Sequence, residues 1–158
     1  MQRAGLTLTE LLIVVGLIMV FALASLLLLS GRRGTSNLDS VTTRTVTLLR
    51  EAQQRAIAQD DGSPWGIHFD ATEDGRGSIS LFASSTFGAG VPVVEQFRLP
   101  NNVKISTSTV PEMGGLDVVF DLRTGEVATS TEIGFVLIAP PFSTSSVSIS
   151  TLGTVTQE

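Results

Sequence analysis

The longest hydrophobic pattern of the chain is one run near its start. Leu11 to Leu29 is a run of nineteen uncharged, mostly apolar residues. As an α-helix this run would span about 29 Å, which is close to the thickness of the hydrocarbon core of a bilayer. The run therefore predicts a membrane-spanning helix. Glu10 stands directly before the run. A carboxylate within the hydrocarbon core of a membrane is energetically costly, so it usually pairs with another group.

A second hydrophobic pattern follows a cluster of helix-breaking residues. The cluster is "GRRGTSN", residues 31–37, and it predicts either a hinge or a solvated segment at the membrane edge, where Arg32 and Arg33 could contact anionic headgroups. From residue 38 apolar side chains recur at helical spacing, which predicts an amphipathic helix over 38–60. The stripe comprises Leu38, Val41, Leu48, Leu49, Ala52, Ala56 and Ile57.

The amphipathic segment is a weak helix former by composition. Six of the seven residues 41–47 are valine or threonine, whose β-branched side chains lower intrinsic helicity. We therefore expect packing against a sheet to stabilise this helix. We expect it to end near "QDDG", with Gly62 in the left-handed conformation.

The rest of the chain has the short, alternating runs of a β-sheet. Seven candidate strands lie within 64–156 and are separated by turns rich in glycine and proline: "WGIHFD", "SISLFAS", "VVEQFRL", "VKIST", "LDVVFD", "EIGFVLIA" and "SSVSIST". All six prolines lie at the edges of these runs, as prolines in sheets do. The predicted fold class is α+β, with a long N-terminal helix packed on an antiparallel sheet.

Length and composition narrow the possibilities further. The chain has 158 residues, and about 120 remain for one globular domain once the apolar run is set aside. It has no cysteine, which excludes a disulfide framework and a thiolate metal site. The formal charge of −5 argues against a nucleic-acid partner.

Two simpler interpretations of the apolar run remain open at this point. It could be a plain signal anchor of an extracellular domain, with Glu10 at its edge. It could also be a cleaved secretory signal, because Ala22-Leu23-Ala24 has the small-x-small form, although the apolar region continues after Ala24. Arginines flank the run on both sides, at Arg3 and at 32–33, so they do not orient it.

The residues before the run favour a third interpretation. "RAGLTLTELL" resembles the processing motif of the superfamily of type IV pilins and type II secretion pseudopilins. In that superfamily a short basic leader ends in glycine and is followed by an apolar helix with glutamate at the fifth mature position. Here the leader would be residues 1–5, the cleaved bond would join Gly5 to Leu6, and the glutamate would be Glu10.

This resemblance implies a life cycle and a set of partners. A prepilin peptidase would remove the leader and methylate the new amine at Leu6. That amine would then pair with Glu10 of a neighbouring subunit and align subunits in a filament. The further partners implied are other pilin or pseudopilin subunits, an inner-membrane assembly platform and membrane lipid. The globular part would lie on the periplasmic or extracellular side of the cytoplasmic membrane.

Later segments resemble the GspH/FimT-like branch of the same superfamily. "LLREAQQRAIAQDDGSPWGIHFD" is similar to its helix end and first strand, and "VVFDLRTGEV" and "SSVSISTLGTV" are similar to its later strands. Many major pilins have a proline within the apolar helix, whereas residues 6–29 contain none. The resemblance therefore implies a minor pilin or pseudopilin, with residues 6–30 as the filament-core helix and 38–158 as the globular domain.

No set of residues in the sequence assembles a catalytic or metal site. His68 is the only histidine and lies in a predicted strand, where a structural role is the expected one. "DATEDG", residues 70–75, lacks the ligand order of an EF-hand and is predicted to be a solvated turn. Trp65 is predicted to be a packing residue. We therefore predict no enzyme activity, no cofactor and no metal.

Capture of DNA is the remaining alternative function, because some pilins of this branch serve DNA uptake. Binding to phosphates requires clustered lysine and arginine, but no basic residue follows Arg123. Arg44, Arg50 and Arg55 are predicted to pair with acids or to face solvent. We therefore do not expect a nucleic-acid partner.

Overall fold

The structure is a computed structural model that describes residues 8–71, 77–106, 108–111, 115–140 and 142–158, together with their side chains except those of residues 26–33. Gly5 and Leu6, the predicted processing site, lie outside the described residues. The chain divides into two compact units, Met1–Arg33 and Gly34–Glu158. The boundary falls within the segment 31–37, where a linker was predicted.

One helix, α1, extends from Leu8 to Ala58. Its backbone is helical at every residue of 31–37, so the helical conformation does not break at the predicted linker. Each of the two glycines in this segment lowers helix stability by only about 1 kcal/mol relative to alanine. Helix propagation from the turns on both sides is sufficient to offset such a loss.

The second half of α1 buries one face within the Gly34–Glu158 unit. Six of the seven predicted stripe residues are buried there: Leu38, Val41, Leu48, Leu49, Ala52 and Ala56. Ile57 is the exception and is 48% exposed. Thr42 and Thr45 are also buried, and their hydroxyl groups donate hydrogen bonds to the carbonyl oxygens of residues 38 and 41, at 2.9 and 2.8 Å. This internal pairing explains how a buried helix face accommodates threonine.

The helix ends earlier than the sequence predicts. Ala58 is its last residue, and Gln59 takes the left-handed conformation with φ of 58°. A short 3₁₀ turn, Asp60–Gly62, follows. Gly62 is left-handed as predicted, with φ of 62°, but it belongs to this turn and does not cap the helix.

Eight strands form two antiparallel four-stranded sheets. In chain order they are β1 Trp65–Asp70, β2 Ser78–Ala83, β3 Val93–Arg98, β4 Val103–Ile105, β5 Leu116–Phe120, β6 Thr131–Leu137, β7 Thr144–Ile149 and β8 Val155–Gln157. The first sheet has the order β3-β2-β1-β5, and the second has the order β4-β6-β7-β8. Seven strands match the predicted runs, whereas β8 was not predicted and the single expected sheet is in fact two.

The core lies between the buried face of α1 and the inner faces of the sheets. Trp65, Phe69, Phe120 and Phe135 are among its largest fully buried side chains, and residues of both sheets belong to the same hydrophobic cluster as the helix stripe. The predicted α+β class is therefore confirmed. The packing also confirms the expected source of the helix's stability, which is burial against β-structure.

Candidate assembly site

The first part of α1 has an apolar surface on all its sides. The window Leu8–Ser25 has a mean hydropathy of 2.4, and none of it is buried within the protein. Large apolar side chains are exposed at consecutive positions, as at 11–15 and 17–21, so they do not form a single stripe. A helix with this surface requires apolar surroundings, either a bilayer or other helices. Among the described residues, it is the one helix long and apolar enough to cross a membrane.

Glu10 is the only charged residue of this apolar surface. It lies in the first turn of the described helix, and its side chain is exposed. Glu10 therefore lies on the apolar part of α1, and its role in assembly stays a prediction.

The hydroxyl group of Ser25, near the end of the segment, is satisfied within the helix. The Ser25 hydroxyl donates to the Phe21 carbonyl oxygen at 2.8 Å, so it can enter apolar surroundings without an unpaired donor. Gly16 has no heavy atom within 4 Å of the place where a Cβ would stand. It leaves a shallow notch in the exposed helix surface.

His68 is fixed by contacts with two other segments of the globular unit. It lies on β1 directly opposite Asp117 on β5, and its Nδ1 is 2.6 Å from Asp117 Oδ1. The Phe87 ring stacks on the imidazole with a centroid separation of 3.9 Å, and the Phe87 amide donates to Asp117 Oδ2 at 2.9 Å. Asp117 therefore joins β1 to the loop after β2 through both of its oxygens.

The remaining edge of the imidazole is covered as well. Gly115 packs so closely against it that a Cβ at that position would be 2.9 Å from His68 Nε2. Ser80 lies opposite His68 on β2 and is buried, which places serine, histidine and aspartate in one row across three strands. No hydrogen bond joins Ser80 to His68 within the described chain, so the row lacks the contact that activates a serine nucleophile. The observed packing gives His68 the structural role that its strand position predicts.

Two of the three arginines in the second half of α1 are paired with acids. Arg44 is 2.8 Å from Glu95 and stacks over the Phe97 ring. Arg55 is 2.7 Å from Glu51, lies near Asp60 and stacks over Trp65. The third, Arg50, is exposed. The predicted pairing or exposure of these three residues is confirmed, and they do not form a basic patch that could follow a phosphate backbone.

No cluster of metal ligands occurs in the part of the chain that the structure describes. No three histidine, aspartate or glutamate side chains of the described residues are placed so that they could hold a metal ion together. Most of the acidic segment weighed as a calcium loop, residues 72–75, lies outside the described ranges.

The architecture defines a fold. An N-terminal apolar helix continues into an amphipathic helix that packs on antiparallel sheets, and this arrangement is the α+β fold of pilins. The structure is similar to the crystal structure of the type IV minor pilin FimU of Pseudomonas aeruginosa, with a TM-score of 0.54 and 18% sequence identity. The similarity covers 77% of this chain and 92% of the FimU chain. By sequence, no family model and no curated protein matches.

This comparison confirms the resemblance to pilins at the level of the fold. The residues that sequence inspection missed are Asp117 and Phe87, the partners of His68. Asp117 occupies one polar position of an alternating strand, and Phe87 lies in a loop. Neither position carries a local signal, because the contact depends on the pairing of β1 with β5.

Proposed function

We propose that this chain is a minor pilin or pseudopilin, a structural subunit of a type II secretion pseudopilus or a type IV pilus. The observation that carries the proposal is an exposed, predominantly apolar helix surface with Glu10 as its single charged residue, continuous in sequence with a domain of pilin-like fold. Such a helix is suited to two successive environments, the bilayer before assembly and a bundle of like helices after it.

In this proposal Glu10 is the residue that sets the register of assembly. A carboxylate in a membrane helix is disfavoured by about 2.5–3.5 kcal/mol even on lenient insertion scales, so a partner of opposite charge stabilises it. Cleavage after Gly5 would create an amine at Leu6, which cannot easily reach the carboxylate of its own helix. The same group on a neighbouring subunit can reach it, and the pairing would fix the axial position of one subunit against the next.

The proposal includes processing and location. A prepilin peptidase would cut between Gly5 and Leu6 and methylate the amine of Leu6. Before assembly the subunit would span the cytoplasmic membrane once, with residues 34–158 on the periplasmic or extracellular side. It would then be delivered by an inner-membrane assembly platform to a filament of other pilin or pseudopilin subunits.

The sequence and the structural comparison favour a minor pilin subunit over a major one. The apolar run contains no proline, which many major pilins have there, and the structure found to be similar is that of a minor pilin. The segments that resemble the GspH/FimT-like branch also form the helix end, β1, β5 and β7 in the structure. These observations support placing the chain in that branch.

The mass of the mature protein tests the proposal. We expect protein purified from a host that has a prepilin peptidase to lack residues 1–5 and to carry one methyl group on Leu6. A Gly5→Val variant serves as the uncleaved control, because the motif places glycine immediately before the cleaved bond. A mature chain that begins at Ser25 would instead establish a secretory signal and would contradict the proposal.

A further inference from the structure

Phe82 is fully buried but does not belong to the main hydrophobic core. Its neighbour on β2, Leu81, belongs to the cluster that includes the buried face of α1. Side chains alternate along a strand, so Phe82 faces the opposite side of the first sheet. There its ring lies over Gly66 of β1, where a Cβ would be 2.8 Å from it. A buried aromatic ring outside the core indicates a small satellite cluster beneath a loop.

The loop between β2 and β3 lies over this side of the sheet. We call its residues, 84–92, the strap. The Phe87 ring of the strap meets the Phe82 ring edge-on at a centroid separation of 5.3 Å and stacks on the His68 imidazole at 3.9 Å. The Phe87 amide donates to Asp117 Oδ2 at 2.9 Å. One residue of the strap therefore contacts the side chains of three strands, β2, β1 and β5.

Phe87 is the anchor of the strap. The other hydrogen bonds of the strap stay within it, as does the one from the Val91 amide to the Gly88 carbonyl oxygen at 3.2 Å. Gly88 and Gly90 have nothing within 4 Å of a Cβ placed on them. In the described part of the chain, no strap residue except Phe87 forms a hydrogen bond or a ring contact with a distant segment. Release of this one residue would therefore free the whole strap.

A single carboxyl group orients everything that Phe87 contacts through polar atoms. Asp117 Oδ2 accepts the Phe87 amide, and Asp117 Oδ1 is 2.6 Å from Nδ1 of His68, whose ring forms the surface on which Phe87 stacks. Hydrogen bonds to a carboxylate are about twice as strong as those to a neutral acceptor. Replacing the carboxylate by an amide would therefore weaken both contacts at once and loosen the anchor.

We propose that the strap is a conformational device that opens as one unit when Phe87 leaves its place, while the main core stays folded. The open form exposes a surface made of the Phe82 ring and the His68 imidazole, which the closed form hides. Exposed aromatic surfaces of this kind mark contact sites, so the closed strap keeps this surface from solvent and from other proteins. The inference concerns the Gly34–Glu158 unit alone and does not depend on the proposed function.

Opening of the strap disrupts far fewer contacts than unfolding of the unit does. It breaks the anchoring hydrogen bond and two ring contacts of Phe87, and it leaves the core cluster of α1 and the two sheets in place. Residues 88–90 and Pro92 are exposed, so most of the strap has little buried surface to lose. Segments with few buried contacts open locally with free energies well below that of global unfolding.

Thiol labelling of the full chain in detergent micelles tests the proposal. The protein has no cysteine, so Phe82→Cys and Leu81→Cys each introduce a single thiol. Leu81 is the matched control, because it adjoins Phe82 on β2 and is equally buried, but it belongs to the core. The rate of reaction with a soluble disulfide reagent is measured under native conditions for each variant, alone and combined with Asp117→Asn.

We expect the thiol at position 82 to react about ten-fold faster than the thiol at position 81, because local opening exposes only the first. Asp117→Asn should accelerate the reaction at 82 several-fold and leave the rate at 81 unchanged. Equal rates at the two positions, whether slow or fast, would overturn the proposal, because opening would then not be confined to the strap. A rate at 82 that Asp117→Asn does not raise would refute the anchoring role of the carboxylate.

Hydrogen exchange of the Phe87 amide provides a second test that keeps the Phe82 ring. In the unchanged full chain, NMR should show about ten-fold less protection for this amide than for the Ile67 amide, which lies in the central strand β1. Asp117→Asn should lower the protection at Phe87 further, whereas Thr86→Ala, which alters the strap beside its anchor, should not. Equal protection of the Phe87 and Ile67 amides would overturn the proposal.

Discussion

Replacing Gly115 by alanine tests whether His68 is enclosed as the structure describes. Gly115 has a φ of 65°, and its new Cβ would lie 2.5 Å from His68 Cε1 and 2.6 Å from the carbonyl oxygen of Phe69. The left-handed conformation disfavours alanine by about 1–2 kcal/mol. The backbone oxygen cannot move aside as a flexible side chain could, and overpacking of this kind adds about 1–3 kcal/mol. We therefore expect Gly115→Ala to lower the free energy of unfolding by about 2–5 kcal/mol.

Gly90 provides the matched control for this experiment. It also has a positive φ, of 90°, but nothing lies within 4 Å of a Cβ placed there. Gly90→Ala should therefore show only the conformational loss of about 1–2 kcal/mol. The assay is urea unfolding of residues 34–158 for both variants and the unchanged fragment, with the free energy taken by linear extrapolation. Equal losses in the two variants would refute the steric part of the reasoning and, with it, the enclosure of His68.

Two further predictions concern the globular unit. Residues 34–158 should unfold cooperatively without any metal or disulfide, because the chain offers no cysteine and one histidine, and a shift of the urea midpoint on adding EDTA would contradict this. The same fragment should bind duplex DNA weakly and without sequence preference, because Arg44 and Arg55 are already paired with acids; a sub-micromolar Kd at physiological salt, measured by fluorescence anisotropy, would favour a role in DNA uptake instead.

Local sequence patterns predicted most of the secondary structure. Seven strands were recognised because each alternates over several residues and ends at turn residues. The strand β8 has three residues, of which only Val155 is buried, so its pattern is too short to detect. The division into two sheets depends on strand pairing between distant segments, and the runs themselves contain no information about their partners.

Local signals were misleading where cooperativity or tertiary contacts decide the conformation. The two glycines of 31–37 are unfavourable in a helix, but the helical turns on both sides outweigh them. The helix ends at Ala58 although glycine is found only at 62. There the Ala56 carbonyl oxygen accepts hydrogen bonds from the amides of Gln59 and Arg123, each at 3.1 Å, so a tertiary contact helps to satisfy the end of the helix.

The two kinds of candidate site differ in how far sequence could predict them. Gly5, Leu6 and Glu10 form a motif of fixed spacing within six residues, which is why the sequence alone suggests their roles. His68 and Asp117 are separated by 49 residues, and only the register of β1 with β5 brings them together. Their contact therefore became visible only in the folded structure.

The assembly role assigned to Glu10 is the central claim, and it depends on a charge. At a separation of about 4 Å and an effective dielectric constant near 20, a carboxylate and an amine attract each other by about 4 kcal/mol before desolvation is subtracted. Even a quarter of that energy would change the docking of a subunit several-fold. Glu10→Gln preserves the size of the side chain and removes the charge. The amide is also easier to bury, so insertion of the helix should not suffer.

The most direct test is the fraction of Glu10→Gln protein recovered in sheared or cross-linked filaments, compared with its mature mass in the same cells. Glu95→Gln is the control, because it removes one carboxylate from an exposed pair with Arg44 in the globular unit. We expect Glu10→Gln to be inserted and cleaved normally but to enter filaments several-fold less than the unchanged protein or the control. Incorporation of Glu10→Gln at the level of the control would contradict the role of Glu10 in assembly.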